Sequence, residues 1–299
     1  MVLISVIMPS YNHEKFISES INSVLSQSFR DLELIIIQDS PSENILRIIN
    51  SYANSDSRVI LKVATERAGV SAAFNLGLSI SSGEYVSFIG SDDTWLKDKL
   101  ETQLDYLLKY PNTIVWSDAI IIDETGREMG YKFSDLYPAK KRSGNIFTEL
   151  CFGNFISGQS MIFKKEMINN FEFDGLLPVL NDYKINLDLS FKYEFIFINR
   201  PLVKYRMHDS NLSNTSGRQW NIDSSQMISY IISRYKNYIP SEIEFYLLLR
   251  LSVSQFILHN FRNSFKSLIK ACKYLNLKTL FLFIARIKFQ FGHIAYSYV

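Results

Sequence analysis

Two adjacent carboxylates stand directly after an apolar segment of this sequence. The run 85–89 is followed by a glycine, a serine and the pair Asp92 and Asp93, and the next basic residue is Lys97. Neighbouring like charges repel, and a divalent cation can relieve that repulsion. Mg²⁺ and Mn²⁺ prefer oxygen ligands and leave coordination positions for substrate phosphates. The pair therefore predicts a metal-assisted phosphate site, although capping of the next helix or a solvated loop would also explain it.

Another carboxylate, Asp39, follows the apolar run 34–37. A carboxylate at this position can accept hydrogen bonds from the N–H of a nucleotide base or from ribose hydroxyls. Its alternative role is that of a turn residue, because Asp side chains often hydrogen-bond to nearby backbone in turns. We retain Asp39 as a candidate nucleotide ligand.

Two later segments contain candidate reactive groups. Asp182, in the stretch NDYKINLDL, can act as a general base if a hydroxyl comes within reach, but it also precedes a predicted helix over 182–192, where Asn and Asp commonly cap. In the stretch YRMHDSNLS, Arg206 is a candidate phosphate contact. His208 is a candidate metal or phosphate ligand, although a single histidine is more often structural.

The elements that must position these groups alternate between strand and helix. This alternation favours an α/β fold with a mostly parallel sheet covered on both faces. Ligands bind beyond the carboxyl ends of the strands in such sheets, so the polar clusters 9–12, 38–40 and 91–93 are expected on one edge. The predicted strands are 3–8, 34–37, 59–63, 85–89 and 113–122, with helices around 17–25, 45–49, 70–80 and 97–110, and strand-like segments at 195–198 and 202–205.

The C-terminal part is helical in pattern and basic. The chain of 299 residues has a net charge of +2, yet no acidic residue follows Glu244, whereas eight lysines and arginines do. Such a segment is either a solvated face packed on the α/β domain or a surface for anionic lipid, with Phe and Leu inserted. The membrane interpretation assigns this contact to residues 245–299, and we expect no nucleic-acid partner.

Localisation is predicted from the apolar segments and the cysteines. No apolar run is long enough to span a bilayer, and the N-terminus lacks the pattern of a signal peptide. The two cysteines lie far apart and fit a reducing compartment. These features predict a cytoplasmic protein, peripheral to the inner face of the cell membrane if the tail binds lipid.

Taken together, these segments resemble the family 2 inverting nucleotide-sugar glycosyltransferases, which have the GT-A fold. The resemblance covers about residues 3–213 and is carried by three segments in order. They are SVIMPSYNHEKFISESINSVLSQSFRDLELIII, AGVSAAFNLGLSISSGEYVSFIGSDDTWLKDKLETQL and NDYKINLDLSFKYEFIFINRPLVKYRMHDSNLS. It implies a GT-A domain over 1–215, with a nucleotide-binding half at about 1–122 and an acceptor half at about 123–215. A basic helical region over 216–299 would follow.

The resemblance also implies a reaction and a set of roles. Mn²⁺ or Mg²⁺ would hold the diphosphate of a nucleotide sugar, for which a UDP-sugar is expected. Asp182 would deprotonate a hydroxyl of a glycan or lipid-linked glycan precursor, and one sugar would be transferred with inversion. The implied nucleotide ligands are Pro9, Tyr11, Asn12, Asp39, Asn75, Ser91 and Asp92; the sugar ligands are Asp93, Gly158 and Gln159; the diphosphate ligands are Arg206 and His208; the metal ligands are Asp92, Asp93 and His208.

Several positions depart from the family's pattern, and three of them lack a carboxylate that is usual there. Gln38 stands where an aspartate is usual, Gly90 occupies the first carboxylate position of the metal motif, and Asn181 replaces a glutamate. The missing carboxylate at Gly90 predicts weak metal binding until the donor arrives. These departures keep open a nucleotide-sugar binding protein with a degenerate site. A nucleotidyltransferase on a similar fold is the enzyme alternative, although its glycine-rich basic loop is not seen.

Overall fold

A mixed sheet flanked by helices forms the centre of the computed structural model, which describes residues 3–39, 42–64, 69–212, 217–281 and 283–284. The described strands are β1 (Ile4–Ser10), β2 (Leu32–Gln38), β3 (Val59–Val63), β4 (Tyr85–Phe88), β5 (Thr94–Trp95), β6 (Thr113–Ile122), β7 (Glu128–Lys132), β8 (Ile162–Lys164) and β9 (Glu194–Arg206). The described helices are α1 (Ile17–Leu25), α2 (Glu43–Ser55), α3 (Gly69–Ile80), α4 (Lys99–Lys109), α5 (Phe133–Leu136), α6 (Phe147–Leu150), α7 (Asn181–Lys192), α8 (Gly217–Tyr235), α9 (Ser241–Ile257) and α10 (Phe261–Cys272).

The N-terminal half of the sheet is parallel, as the alternation of strands and helices predicts. Strand β1 lies between β2 and β4 and runs parallel to both, while β3 extends the sheet beyond β2. Helices α1 and α2 pack on one face and α3 on the other, so the strands are apolar on both faces. The strand predicted over 3–8 continues for two more residues, because Pro9 still pairs with Ile37 and the strand ends at Ser10.

The other half of the sheet adds antiparallel strands to this frame. Strand β8 joins β4 to β6 with antiparallel pairing on both sides, and β5 pairs antiparallel with β9. Strand β9 is parallel to β6, with a shift of register near Asp118 that merges the two predicted segments into one long strand. The sheet order is β3-β2-β1-β4-β8-β6-β9-β5, with β7 paired to β6. The end of β9 therefore reaches the loop between β4 and β5, where Asp92 and Asp93 lie.

Helices α8 and α9 continue the hydrophobic core of the predicted acceptor half. Met227 and Ile231 of α8 and Leu247 of α9 are fully buried and belong to the same cluster as residues of β8 and α7. The hydroxyl of Tyr235 donates to Asp188 Oδ1 of α7 at 2.7 Å. Within the part of the chain that the structure describes, no helix is long and apolar enough to cross a membrane.

The packing of α3 on β1 depends on Gly77. A Cβ atom there would lie 3.4 Å from Ile7 Cβ and closer still to Ile7 Cγ2, which is fully buried and cannot move away easily. Alanine is the better helix former by about 1 kcal/mol, but overpacking a core costs about 1–3 kcal/mol.

We therefore expect Gly77→Ala to lower the free energy of unfolding by about 1–2 kcal/mol, as measured by urea denaturation. Ser79→Ala is the matched control, because Ser79 is exposed on the same helix, and it should change this free energy by less than about 0.5 kcal/mol. A Gly77→Ala protein as stable as the wild type would contradict the close contact with Ile7.

Candidate active site

The loop after β4 folds both carboxylates back over Gly90. A Cβ atom on Gly90 would lie 2.9 Å from Asp93 Oδ2 and would meet Asp92 Oδ1 at a distance that real Cβ atoms do not show. By the family's pattern, Gly90 stands where a carboxylate is usual. The structure adds that a side chain at this position would displace the two carboxylates that are present.

Asp93 is the more buried carboxylate of the pair, and it is tied to strand β9. Its Oδ1 accepts a hydrogen bond from the backbone N–H of Arg206 at 2.8 Å. Burial, followed by repulsion from the charge of Asp92, raises the pKa of Asp93 well above its usual range. Asp93 thus anchors the end of β9, although it also lines the cavity described below.

Asp92 faces two imidazole rings. Its Oδ2 lies 3.1 Å from Nε2 of His208 and 3.8 Å from Nε2 of His13. The second ring nitrogen of each histidine is held by a serine hydroxyl, since His13 Nδ1 lies 2.8 Å from Ser91 Oγ and His208 Nδ1 lies 2.8 Å from Ser210 Oγ. Hydrogen bonds of this kind fix the ring orientation of metal-binding histidines.

The pKa shifts of Asp92 and His13 suit a divalent cation. Burial alone would raise the pKa of Asp92, but the hydrogen bond from His208 and the charge interaction with His13 outweigh it, and the net effect lowers that pKa. Burial lowers the pKa of His13, although Asp92 opposes the effect. An ionised carboxylate and neutral imidazoles are the forms that bind metal. One ligand atom from each of His13, Asp92 and His208 lies within 4.8 Å of the others, so these residues fit a metal ion.

His13 is absent from the residues that the sequence singles out. It directly follows the predicted nucleotide-binding segment 9–12, and that position at the carboxyl end of β1 is the signal that could have identified it. Ser91, predicted as a nucleotide ligand, is 1% exposed and orients the ring of His13.

Arg206 is not available to a diphosphate in this structure. Its side chain is nearly fully buried, its Nε donates to the carbonyl oxygen of Asp92 at 2.8 Å, and Nη2 pairs with Glu19 at 2.5 Å. Its guanidinium also lies over the ring of Phe16. The prediction of Arg206 as a diphosphate ligand is therefore not supported, because the guanidinium joins β9 to α1 and to the carboxylate loop.

Asn75 is also placed differently from its predicted nucleotide-binding role. Its side-chain amide forms two hydrogen bonds of 3.0 Å with the backbone of Phe173, one to the carbonyl oxygen and one from the N–H. Asn75 thus fastens α3 to the loop before α7. The neighbouring Phe74, stacked on Phe173 with ring centroids 4.6 Å apart, lines the cavity instead.

The remaining predicted nucleotide ligands lie together at the carboxyl ends of β1 and β2. Asp39 is buried, its backbone N–H donates to Ser10 O at 2.9 Å, and its Oδ2 accepts from the N–H of Gly69 at 2.9 Å. Tyr11 is 36% exposed, and Asn12 adopts a positive φ of 53° that turns the chain from β1 towards His13. Pro9 precedes them within β1.

A cavity of about 250 Å³ brings the carboxylate loop together with the predicted sugar ligands and the predicted base. Its lining includes Asp92, Asp93, Gly158, Gln159 and Asp182. Gly158 and Gln159, two of the predicted sugar ligands, come from the short turn before β8, and Asp182, the predicted base, comes from the first turn of α7. Residues far apart in sequence thus meet at one opening, as the family resemblance implies.

Asp182 is half-buried at the start of α7 and has a raised pKa. Burial raises that pKa to about 6, although the N–H of Tyr183 and the side-chain amide of Asn154 act in the opposite direction. Asn154 Nδ2 donates to Asp182 Oδ2 at 3.1 Å. The capping alternative is not seen, because Leu180 occupies the N-cap position without a side-chain cap and Asn181 Nδ2 donates to Pro178 O instead.

A second cavity, of about 460 Å³, lies beside the first and shares Gly158, Gln159 and Asp182 with it. Its walls are largely aromatic and apolar, and they include Tyr137 and Trp220. Tyr137 is close enough to Asp182 for the charge of that carboxylate to help burial raise the tyrosine's pKa. Asp182 therefore faces two cavities. One lies next to the cluster of His13, Asp92 and His208, and the other is lined by aromatic rings.

The fold and this arrangement define the chain as a glycosyltransferase of the GT-A class. More closely, it belongs to glycosyl transferase family 2, whose sequence model matches residues 5–171. A UDP-Glc:alpha-D-GlcNAc-diphosphoundecaprenol beta-1,3-glucosyltransferase of Escherichia coli, WfgD, is 30% identical over 226 residues, which cover 74% of this chain and 85% of that protein.

Two solved structures share the fold. The crystal structure of S. aureus TarS 1–349 in complex with UDP-GlcNAc superposes with a TM-score of 0.70 at 16% identity, covering 96% of this chain and 85% of that one. The mannosyltransferase PcManGT from Pyrobaculum calidifontis, in complex with GDP-Man and Mn²⁺, gives a TM-score of 0.62 at 16% identity and covers 99% and 83% of the two chains. The predicted family and GT-A fold are thereby confirmed.

His13 and His208 are both expected to contribute to metal binding. We expect His13→Ala and His208→Ala each to raise the dissociation constant for Mn²⁺ by at least about tenfold, since even the loss of a hydrogen bond to a metal ligand costs about 10–100-fold. Binding is measured by electron paramagnetic resonance of free Mn²⁺, with and without UDP.

His259→Asn is the control for this measurement, because His259 is exposed outside the site and its positive φ of 58° is tolerated by asparagine. Unchanged Mn²⁺ binding in the His13→Ala protein would remove His13 from the metal site.

Proposed function

We propose that this protein is a metal-dependent inverting glycosyltransferase that moves one sugar from a nucleotide-diphosphate sugar to a hydroxyl of a glycan or lipid-linked glycan. The position of Asp182 carries the proposal, because this carboxylate lies between the cavity beside Asp92 and the aromatic cavity. A base between two binding spaces can take a proton from an acceptor in one while the donor occupies the other.

The donor is proposed to be a UDP-sugar that enters the cavity beside Asp92. Asp39 lies at the carboxyl end of β2, where it suits the base or ribose of the nucleotide, while His13, Asp92 and His208 suit a cation. When bound, the cation supplies positive charge that stabilises the leaving diphosphate. The name of the related enzyme WfgD, with UDP-Glc as donor, supports the choice of nucleotide.

Mn²⁺ is favoured over Mg²⁺ as the metal. Two of the three candidate ligands are imidazole nitrogens, whereas Mg²⁺ is bound almost entirely through oxygen. The structure of PcManGT, which shares the fold, was determined with Mn²⁺. The imidazoles of His13 and His208 would take the place of the carboxylate that the family usually has at the position of Gly90.

The base is proposed to be Asp182, which is suited to the task by its surroundings. A pKa of about 6 leaves the carboxylate largely ionised at neutral pH while keeping it a stronger base than an exposed aspartate. Asn154 holds Oδ2 of Asp182 by a hydrogen bond of 3.1 Å and is itself held by Asn186 at 3.2 Å. A single displacement with this base inverts the anomeric centre without a covalent intermediate.

The aromatic cavity is proposed to receive the acceptor. Trp220, at the start of α8, is 38% exposed, and Tyr137 is 40% exposed, so both rings are accessible in a space that also contains Asp182. Aromatic faces pack against the apolar face of a sugar ring, and polar groups at the edge then select its hydroxyls. The Nε2 of Gln159 has no hydrogen-bond partner among the described residues, and Gln159 lines both cavities.

The pKa of Asp182 leads to a pH profile. The rate of transfer from UDP-glucose should rise as pH increases through about 6, where Asp182 loses its proton. Asp182→Asn should abolish transfer, while the dissociation constant for UDP should change less than about twofold.

Asn154→Leu removes a hydrogen bond that lowers the pKa of Asp182, so the rise in rate should move to higher pH. Lys97→Ala, an exposed change outside both cavities, should leave the profile unaltered.

These rates are measured by release of UDP, with Mn²⁺, against a panel of UDP-sugars. Transfer that survives in Asp182→Asn would exclude this residue as the base. Nucleotide binding without turnover of any sugar donor by the wild-type protein would favour a binding protein with a degenerate site.

The acceptor cavity can be probed by tryptophan fluorescence. Of the three tryptophans, Trp95 and Trp116 are 4% and 2% exposed and Trp220 is 38% exposed, so ligands in this cavity should alter mainly the emission of Trp220. We expect one or more 4-nitrophenyl glycosides of glucose, galactose and N-acetylglucosamine to quench it. By saturation-transfer NMR, Trp220→Ala should weaken binding of the same glycoside about three- to tenfold.

Tyr106→Ala is the control for that loss, because Tyr106 is 37% exposed on α4 and lies outside both cavities. If the protein turns over a UDP-sugar but no glycoside quenches the emission, the acceptor does not bind in this cavity. The proposed transferase activity would be unaffected by that result.

A further inference from the structure

We propose that helix α10 and the end of α9 form a surface that binds the anionic face of a lipid membrane. The proposal goes beyond the transferase reaction and is independent of it. We call this region the α9–α10 surface. It consists of the apolar side chains of Val253, Phe256, Ile257, Phe261, Phe265 and Ile269, together with the basic side chains of Arg262, Lys266 and Lys270.

Helix α10 packs against α9 through its small residues and turns its large apolar residues outwards. Ser264, Ser267 and Ala271 are its buried residues. Ser264 and Ser252 of α9 exchange hydrogen bonds of 2.9 and 3.0 Å between hydroxyl and carbonyl groups. By contrast, Phe265 of α10 is 63% exposed. A helix that is stable in water buries its largest apolar side chains, so this inverted arrangement indicates an apolar partner.

Exposed apolar side chains of the two helices meet where α9 ends and α10 begins. Phe256 at the end of α9 contacts Phe261 at the start of α10, with ring centroids 5.3 Å apart. The six apolar residues of the α9–α10 surface are between 49% and 63% exposed. Scattered single exposures are ordinary, whereas a contiguous apolar patch marks an interaction site.

The basic residues occupy the adjacent row of the same helix. Residues four apart lie one above another on a helix, so Phe261, Phe265 and Ile269 form one row. Arg262, Lys266 and Lys270 form the next, one position further on. An apolar row beside a basic row is the pattern of a helix that lies in the plane of a membrane.

Charge complementarity selects an anionic lipid surface over another protein. No acidic residue follows Glu244 in the sequence, so no carboxylate of this segment opposes the lysines and arginines. Each Lys or Arg near an anionic membrane adds measurably to binding, whereas a second copy of the same surface would place like charges together. An anionic lipid surface is therefore the proposed partner, and the experiment distinguishes it from dimerisation.

The test must keep the core of α9 intact. Deletion from residue 245 onwards would remove Tyr246 and Leu247, which are buried against the catalytic part of the chain. Point variants of the full chain are sharper: Phe261→Ser with Phe265→Ser removes apolar surface, and Lys266→Glu with Lys270→Glu reverses charge. Leu108→Ser and Lys109→Glu, on exposed positions of α4, are the matched controls.

The measurement is co-sedimentation with vesicles of phosphatidylcholine, with or without about one-third phosphatidylglycerol, at physiological salt. We expect the wild-type protein and both controls to bind the anionic vesicles. Each double variant should lower the partition coefficient at least about tenfold, with an unchanged unfolding temperature. Binding should weaken at high salt, because exposed charges are screened.

Three results would overturn the proposal. One is no binding of the wild-type protein to anionic vesicles, and another is equal binding by the double variants. The third is a dimer in light scattering that the Phe261→Ser, Phe265→Ser variant dissociates, because the occupant of the surface would then be a second copy of the chain.

Discussion

The hydrogen bonds between Arg206 and the carboxylate loop are the contact on which the site depends. The backbone N–H of Arg206 satisfies Asp93, and its Nε satisfies the carbonyl oxygen of Asp92. Buried polar groups without partners are costly, so the loop after β4 and the end of β9 stabilise each other. His208 follows two residues later, and the same contact therefore brings its imidazole to Asp92.

This contact also explains how two neighbouring carboxylates coexist. Asp93, turned into the protein, has a raised pKa, whereas Asp92, turned towards two histidines, has a lowered one. The environments thus separate the two groups, one suited to the neutral form and one to the charged form. Gly90 permits the arrangement, because a side chain there would collide with both carboxylates.

The strands and their carboxyl-edge residues could be predicted because they depend on local patterns. Continuous apolar runs such as 34–37 identify buried parallel strands, and topology then places Asp39 and Asp92 on one edge. The roles of Arg206 and Asn75 could not be predicted in this way. Each side chain is occupied by a partner distant in sequence, Glu19 and Phe173 respectively.

His13 and His208 reach Asp92 in different ways. His13 follows β1, the parallel neighbour of β4, so topology places it at the same edge as Asp92. His208 follows β9, and periodicity does not predict how that strand approaches the edge. The family resemblance assigns roles by position in a motif. It therefore implies a diphosphate contact for Arg206, although the guanidinium of Arg206 is occupied by Glu19 and by the carbonyl oxygen of Asp92.

Helix α8 lines the second cavity but not the first. The cluster of His13, Asp92 and His208 comes from the ends of β1, β4 and β9, whereas Trp220 and Met227 reach the second cavity from α8. Substitutions along one face of this helix can reshape the second cavity without touching the cluster around Asp92. The shape of the second cavity and the geometry of the cluster therefore depend on different parts of the chain.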